Sequence, residues 1–303
     1  QEQKPQSLNG YDLIKPENSS KNVNKIQQRA VSLELLKTMN IFKRGDDEMQ
    51  PLFTGLDFLR DGRMVAVDNK NCKCFILRDT LKRFDTFYKF KTYPRDVTSY
   101  CDNNIAVSVS DGDIRAICLL TVGSDNTITL MNTLTTSTKC FSICPLNDRT
   151  FLVSTYDDPS PARMIDVDGN ESEFDNVKFP GKMYKNWESL CTYVPSRVTL
   201  VLTDRYAHTV YMYDTVTGNN TEVKNDQIRE PRGTCVCPDD SVFVCIKNTN
   251  SIIQISSDGE ILASCDVDME YPFAVSVSSD GSKMAVTNCL IGGMKLKLFK
   301  IKQ

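Results

Sequence analysis

The residues best suited to bind a metal are the twelve cysteines and the single histidine of this 303-residue chain. Three pairs of cysteines lie close together in sequence: Cys72 and Cys74, Cys140 and Cys144, and Cys235 and Cys237. A spacing of two residues places both side chains on one face of a strand, but no pair forms the Cys-x-x-Cys knuckle of a structural zinc site. We therefore predict no metal site, and thiols that are reduced and buried in apolar segments.

Acid–base or metal-assisted catalysis would depend on His208 and on a set of aspartates. A catalytic triad or a multi-histidine metal centre would have to use His208 alone. The aspartates follow apolar segments: Asp68, Asp111, Asp157 and Asp204. If the four aspartates met at a central channel, their carboxylates could bind calcium or magnesium. If they lie apart, they are the residues commonly found at the starts of loops. A metal-dependent hydrolase or lyase using Asp68, Asp204 and His208 is therefore one hypothesis, and a chain without a catalytic constellation is the hypothesis that we favour.

Turn residues recur in a regular rhythm and indicate the elements that position these side chains. A first set of turns, at 61–62, 102–104, 147–148, 195–196, 239–240 and 280–281, is followed each time by a short apolar segment. These segments are 64–67, 105–109, 151–153, 200–202, 242–246 and 284–286. They recur every ~40 to 50 residues, as expected for propeller blades of four strands.

A second set of turns follows the first set by about 20 residues, so each repeat consists of two hairpins in series. Its turns lie at 79–80, 124–126, 168–169, 218–220 and 258–259, and the sixth repeat has none. The sixth repeat therefore lacks an outer strand, and the apolar segment 31–42 is the natural donor. We predict an all-β fold, a six-bladed β-propeller of four-stranded antiparallel blades, in which the N-terminal strand completes the last blade and closes the ring.

Composition limits the remaining classes of function. Residues 1–28 are polar and lack periodicity, which predicts a disordered linker before a propeller at 29–303. The chain has 36 basic and 39 acidic side chains and a net charge of -3, so it lacks the overall positive field of a general nucleic-acid or membrane binder. No long apolar stretch and no glycine-rich phosphate loop occurs, so we predict no membrane attachment and no cofactor. Reduced cysteines favour the cytoplasm, although three glycosylation sequons begin at Asn18, Asn170 and Asn219.

Several repeats resemble the NHL type of six-bladed propeller: GLDFLRDGRMVAVDNKN at 55–71, LTDRYAHTVYMYD at 202–214 and EPRGTCVCPDDSVFVCIKNTNSIIQIS at 230–256. The motifs TGL at 54–56, VSTYDDPSPARMID at 153–166 and QIREPRG at 227–233 resemble the C-terminal propellers of invertebrate tripartite-motif-like proteins. This resemblance implies a propeller that recruits a protein or RNA partner. It also implies an upstream RING and B-box with zinc for ubiquitin transfer, and a coiled coil for oligomerisation.

In a propeller, the loops that enter the first strand of a blade and those that leave its second strand emerge on one face. This face is predicted to carry the partner-binding residues Arg95, Lys139, Asp204, Arg205, Tyr206, Arg232, Lys247 and Phe273. Mixed charges with a few aromatic side chains suit a protein partner, and an RNA groove would need more cations and stacking platforms. We therefore expect substrate recognition for a ubiquitin ligase, with RNA binding as the alternative. Tyr184 and Trp187 are further candidate anchors beside this face.

Overall fold

The computed structural model describes residues 28–156, 158–179 and 189–303, which form an all-β propeller of six four-stranded antiparallel blades. The first strands of successive blades contact one another in a closed ring around a central channel. The linker predicted for residues 1–28 lies outside the described residues, except for Gln28. Its side-chain amide donates a hydrogen bond to the carbonyl of Asp239 at 2.8 Å.

The strands are numbered along the chain. Blade 1 consists of β2 (Phe53–Phe58), β3 (Met64–Asp68), β4 (Lys73–Leu77) and β5 (Arg83–Lys89). Blade 2 consists of β6 (Pro94–Ser99), β7 (Asn104–Asp111), β8 (Ile114–Val122) and β9 (Ile128–Thr135). Blade 3 consists of β10 (Lys139–Asn147), β11 (Thr150–Tyr156), β12 (Ala162–Asp166) and β13 (Glu171–Ser172). Blades 4 and 5 consist of β14 (Ser189–Val194), β15 (Thr199–Asp204), β16 (Thr209–Asp214) and β17 (Asn220–Val223); and β18 (Pro231–Val236), β19 (Val242–Ile246), β20 (Ser251–Ile255) and β21 (Ile261–Asp266). Blade 6 consists of β22 (Pro272–Val277), β23 (Lys283–Asn288), β24 (Lys295–Lys302) and β1 (Ser32–Asn40), and a short 3₁₀ helix spans Pro195–Arg197 in blade 4.

The predicted ring closure is confirmed. Strand β1 pairs antiparallel with β24, from Ser32 opposite Lys302 to Asn40 opposite Lys295, and the order of blade 6 is β1-β24-β23-β22. The six apolar segments predicted after the first set of turns are the second strands of the six blades. The repeat of turn residues therefore predicted both the number of blades and the way in which the ring closes.

The hydrophobic core lies between neighbouring blades, as six clusters of buried side chains. Strand β3 shows how the sequence produces this arrangement. Met64 and Ala66 face the cluster shared with blade 6, whereas Val65 and Val67 face the cluster shared with blade 2. Because side chains alternate between the two faces of a strand and both faces are covered, the buried strands are continuous apolar runs.

The ring has two faces that differ in their connections. The upper face holds the connections between blades, the turns between second and third strands, and the adjoining strand ends. The lower face holds the turns between first and second strands and those between third and fourth strands. Many lower turns are tight and use glycine at positive φ, such as Gly62 (φ 85°) and Gly281 (φ 70°), which glycine adopts without steric cost.

Candidate partner-binding face

Large apolar side chains that stay exposed are concentrated on the upper face. In the described chain, seven lie there: Phe42, Met49, Tyr93, Ile114, Tyr206, Tyr271 and Ile291. The lower face has Val198 and Val216, and the outermost strands carry Leu35, Leu36, Phe87, Leu130 and Met131. Exposed apolar side chains that gather on one face are typical of a surface that binds another protein.

Three cations at the upper ends of blades 4 and 5 surround one carboxylate. The Glu230 Oε2 atom lies 2.8 Å from Arg205 Nε, 3.1 Å from Lys247 Nζ and 3.5 Å from the Arg232 guanidinium. The Asn248 amide donates to the other carboxylate oxygen at 3.3 Å. These contacts hold the pKa of Glu230 at about 2, since neighbouring positive charges favour the ionised form against the opposing effect of burial. The cluster thus joins the turns of blades 4 and 5.

His208 supports this cluster through the backbone. Its Nδ1 accepts a hydrogen bond from the backbone N–H of Glu230 at 3.0 Å, so the imidazole has an acceptor role in holding the connection into β18. Both residues have positive φ, 53° for His208 and 52° for Glu230. The histidine that the sequence offered for catalysis is therefore half-buried and holds a loop.

Aromatic rings accompany the cations of the upper face. Arg205 lies over the Tyr206 ring with 4.8 Å to the centroid, and Lys247 lies over the Tyr271 ring at 5.2 Å. Tyr206 is 60% exposed and Tyr271 38% exposed. These pairs present a charged group and an apolar surface side by side, the combination found in residues that anchor protein interfaces.

Other predicted site residues lie closer to the channel mouth. Arg232 and Phe273 are buried, with the guanidinium 5.8 Å from the ring centroid. Arg95 donates to the Ser110 hydroxyl at 2.9 Å and lies over the Phe141 ring. Lys139 lies over Tyr156 on the neighbouring strand, at 5.7 Å. The structure therefore brings Arg205, Tyr206 and Lys247 to the accessible surface near Glu230 and places Arg232 and Phe273 below it.

Two of the predicted aspartates, Asp204 and Asp68, close turns. Asp204 is buried, and its Oδ1 accepts the backbone N–H groups of Tyr206 and Ala207 at 3.1 and 2.9 Å. Asp68 is buried in blade 1 and accepts the backbone N–H groups of Leu52 and Lys70 at 3.0 and 3.1 Å. No group of three potential metal ligands occurs within the described ranges.

Three of the residues that the sequence singled out cannot be placed. Asp157, Tyr184 and Trp187 lie outside the described residues.

The channel contains two carboxylates that the sequence analysis did not identify. Its cavity has a volume of about 300 Å³ and is lined by Asp57 and Asp96. Asp57 accepts hydrogen bonds from the backbone and hydroxyl of Ser99 at 2.7 and 3.0 Å and from the Ser276 hydroxyl at 2.6 Å. It therefore joins blade 1 to blades 2 and 6.

Asp96 makes the equivalent contact one blade further on, since its Oδ2 accepts the backbone N–H of Ile143 at 3.0 Å. Burial raises the pKa of Asp57, and it raises the pKa of Asp96 to about 7, with Asp57 contributing through like-charge repulsion. The signal that would have identified these residues is an acidic side chain within an innermost strand, in FTGLDF of blade 1 and PRDVTS of blade 2.

All twelve cysteines are free thiols. Burial raises the pKa of Cys140 to about 12 and also raises that of Cys74 and Cys245. Buried thiols of this kind remain protonated and behave as small apolar side chains. Six of the twelve cysteines are buried, and the other six are partly exposed. Helices long and apolar enough to cross a membrane do not occur within the described parts of the chain.

No family model matches the sequence. No curated protein matches it either.

The fold is similar to that of several solved structures. A catalytically inactive virginiamycin B lyase from Staphylococcus aureus, solved with quinupristin, is 14% identical with a TM-score of 0.60, over 86% of this chain and 98% of that one. A protein of unknown function from Bacteroides thetaiotaomicron is 11% identical with a TM-score of 0.66, over 88% and 76%. A luciferin-regenerating enzyme is 12% identical with a TM-score of 0.63, over 90% and 95%. At these identities the likeness shows the propeller fold alone.

Proposed function

We propose that this chain is a recognition propeller that binds a protein partner on its upper face and catalyses no reaction. The observation that carries the proposal is the distribution of exposed large apolar side chains, of which seven lie on the upper face and two on the lower face of the described chain. Exposed aromatic side chains beside charged groups supply both the apolar contact and the orientation that a protein interface needs.

The contact would centre on the turns of blades 4, 5 and 6. Tyr206 lies in the β15–β16 turn of blade 4, Tyr271 in the connection from blade 5 to blade 6, and Ile291, which is 72% exposed, in the β23–β24 turn of blade 6. Burying an apolar side chain of this size contributes about 1.5–3 kcal/mol, so a few such anchors account for a specific complex. Arg205 and Lys247 would orient the partner by charge.

A finer proposal is that the propeller selects substrates for a ubiquitin ligase of the tripartite-motif type. The support for it is the sequence resemblance at 54–56, 153–166 and 227–233. If it is correct, depletion of this protein in its source cells lowers the ubiquitylation of the captured partner. Unchanged ubiquitylation of that partner would contradict the ligase proposal while leaving recognition intact.

The test of recognition is affinity capture from a lysate of the source cells, with matched variants of the two faces. Tyr206→Ala, Tyr271→Ala and Ile291→Ser are combined on the upper face, and Val198→Ser with Val216→Ser on the lower face. We expect the upper-face variant to lose the partner and the lower-face variant to retain it. If the lower-face variant loses the partner and the upper-face variant retains it, the proposed face is wrong.

RNA binding is the second candidate function. The observation that favours it is the pairing of cations with rings beside the channel mouth, Arg95 with Phe141 and Lys139 with Tyr156, since cations and aromatic rings together bind single-stranded nucleic acid. Capture in the presence of nuclease separates the two functions. A partner that is lost on nuclease treatment, with an affinity that falls steeply as salt rises, would favour RNA.

A further inference from the structure

Glu230 is an acidic side chain of the chain itself, bound where three cations from the upper face converge. Arg205, Arg232 and Lys247 all lie within 3.5 Å of one of its oxygens. Glu230 and its two closest cations remain about one-fifth exposed, with side-chain exposures of 18% for Glu230 and 21% for Arg205 and Lys247. This ion cluster is therefore accessible from solvent.

The backbone of Glu230 is fixed independently of its side chain. The N–H donates to His208 Nδ1, and the carbonyl accepts the backbone N–H of Lys247 at 3.2 Å. The carboxylate can consequently leave the cations by rotation of its side chain while the connection keeps its path. An incoming carboxylate would find the same donors, and both guanidinium and ammonium groups donate several hydrogen bonds each.

We propose that Glu230 occupies the position of an acidic side chain of the partner, so that the upper face recognises a peptide segment carrying Asp or Glu next to an apolar or aromatic residue. The inference depends on the proposed function and names the chemistry of its partner. The partner's carboxylate would displace Glu230 from Arg205 and Lys247, and its apolar neighbour would pack on Tyr206 or Tyr271.

A neighbouring groove restricts where the acidic residue can bind. Between blades 5 and 6, a groove of about 470 Å³ is lined by Asp266, Asp268 and Glu270 and also by Thr249 and Asn250 of the turn that carries Lys247. Lys295 also lines the groove, and Lys297 pairs with Asp268 at 2.8 Å. The three carboxylates outnumber these two cations, so the groove disfavours a second anion on that side. The charge pattern therefore directs the acidic residue towards blades 4 and 5 and fixes the direction of the bound segment.

The probe for this inference is a library of random peptides displayed on phage and selected on the immobilised full chain. We expect the enriched peptides to contain Asp or Glu beside an aromatic or branched apolar residue. The variant Lys247→Glu should lower the affinity for the best enriched peptide by about 10-fold or more, since a charge-assisted hydrogen bond is replaced by repulsion. Lys70→Glu, the same charge change on an exposed lysine of the blade 1 turn, is the matched control and should leave the affinity unchanged.

Glu230→Gln provides the test that a merely structural role would not pass. If Glu230 occupies the cations for more than about nine-tenths of the time, its neutralisation raises the affinity for the acidic peptide by about 10-fold. A Glu230 that only stabilises the loop would instead give equal or weaker binding, which overturns the inference. Thermal unfolding of each variant confirms that the propeller is intact.

The possible failures can be told apart. Enriched peptides that are apolar but have no excess of acidic residues, and that are lost with Tyr206→Ala and Tyr271→Ala, would overturn the acidic specificity and leave recognition standing. Enriched peptides insensitive to every upper-face change would contradict both proposals. Stronger binding of a poly-uridine oligonucleotide than of the enriched peptides, abolished by Lys247→Glu, would assign the cations to RNA and overturn the inference.

Discussion

The lower and upper faces of the ring differ in the connections they hold and in the side chains that those connections present. On the lower face, turns are closed by their own side chains, as when Asp280 Oδ1 accepts the backbone N–H and hydroxyl of Ser282 at 3.0 and 2.8 Å. On the upper face, Glu230 joins cations 25 and 17 residues away in the sequence. The lower face also makes contacts between blades, as when Arg63 of blade 1 donates to the Gly123 carbonyl of blade 2 at 2.9 Å. The upper face differs in combining an ion cluster around Glu230 with exposed apolar side chains.

The largest difference between the two faces is expected in the stability of their ion pairs. On the upper face, Lys73 is 1% exposed and lies 2.7 Å from Asp46 and 2.6 Å from the buried Asp47. Lys73→Met leaves Asp47 buried without its cation, so we expect the free energy of unfolding to fall by about 3–5 kcal/mol. Denaturant unfolding measures this change, and a loss below about 1 kcal/mol would show that the connection is not held by this pair.

The channel that joins the two faces should give the next largest effect. Because the folded-state pKa of Asp96 is about 7, above its ordinary 3.8, the native state retains this proton and stability falls as pH rises from about 4 through about 7. Between pH 5 and pH 8, the free energy of unfolding of the parent should fall by roughly 2–3 kcal/mol relative to that of Asp96→Asn. Urea unfolding at the two pH values gives the comparison, and parallel pH profiles of parent and variant would contradict the buried, protonated carboxyl.

Glu230 on the upper face should show the opposite pH dependence. Its folded-state pKa is lowered from 4.5 to about 2, so its contribution to stability is complete above about 4.5 and is lost as pH falls through about 2. Because the group is partly exposed, we expect the free energy of unfolding of the parent to fall by only about 1 kcal/mol between pH 6 and pH 3, relative to that of Glu230→Gln. Denaturant unfolding at the two pH values measures this change. If Glu230→Gln loses as much stability as the parent between pH 6 and pH 3, the ion cluster does not cause the pH dependence.

The smallest effect is expected for the lower face. Arg149 lies 2.8 Å from Asp168, but their side chains are 68% and 66% exposed. We expect Arg149→Met to change the free energy of unfolding by less than about 0.5 kcal/mol, since solvent screens such pairs. A loss as large as that of Lys73→Met, measured by the same denaturant unfolding, would remove the distinction between the faces.

Local turn chemistry explains what the sequence could predict. The lower turns use Asp, Asn and Gly within a few residues, so their positions, and with them the blades and the ring closure by 31–42, follow from local pattern. The prediction grouped Arg205, Tyr206 and Lys247 on one face, and the structure has all three on the upper face, because the topology alone determines which loops emerge there.

The ion cluster could not be predicted in the same way. Glu230 was not predicted as a member of the site because its partners are distant in the sequence, and His208 was considered only as a candidate for catalysis. The burial of side chains at the ends of strands is also not visible in a sequence pattern, so Arg232 in β18 and Phe273 in β22 were grouped with accessible residues although both are buried. Contacts between blades depend on the packing of the ring, which one strand's sequence does not encode.

The central claim is that a partner binds the upper face, and hydrogen–deuterium exchange of the full chain with and without the captured partner tests it most directly. We expect slower exchange in the partner-bound chain at 204–208, 247–250 and 270–272, which belong to the upper connections of blades 4 to 6. Exchange in the lower turns at 195–198 and 215–219 should stay unchanged. Protection of those lower turns with no change on the upper face would contradict the account.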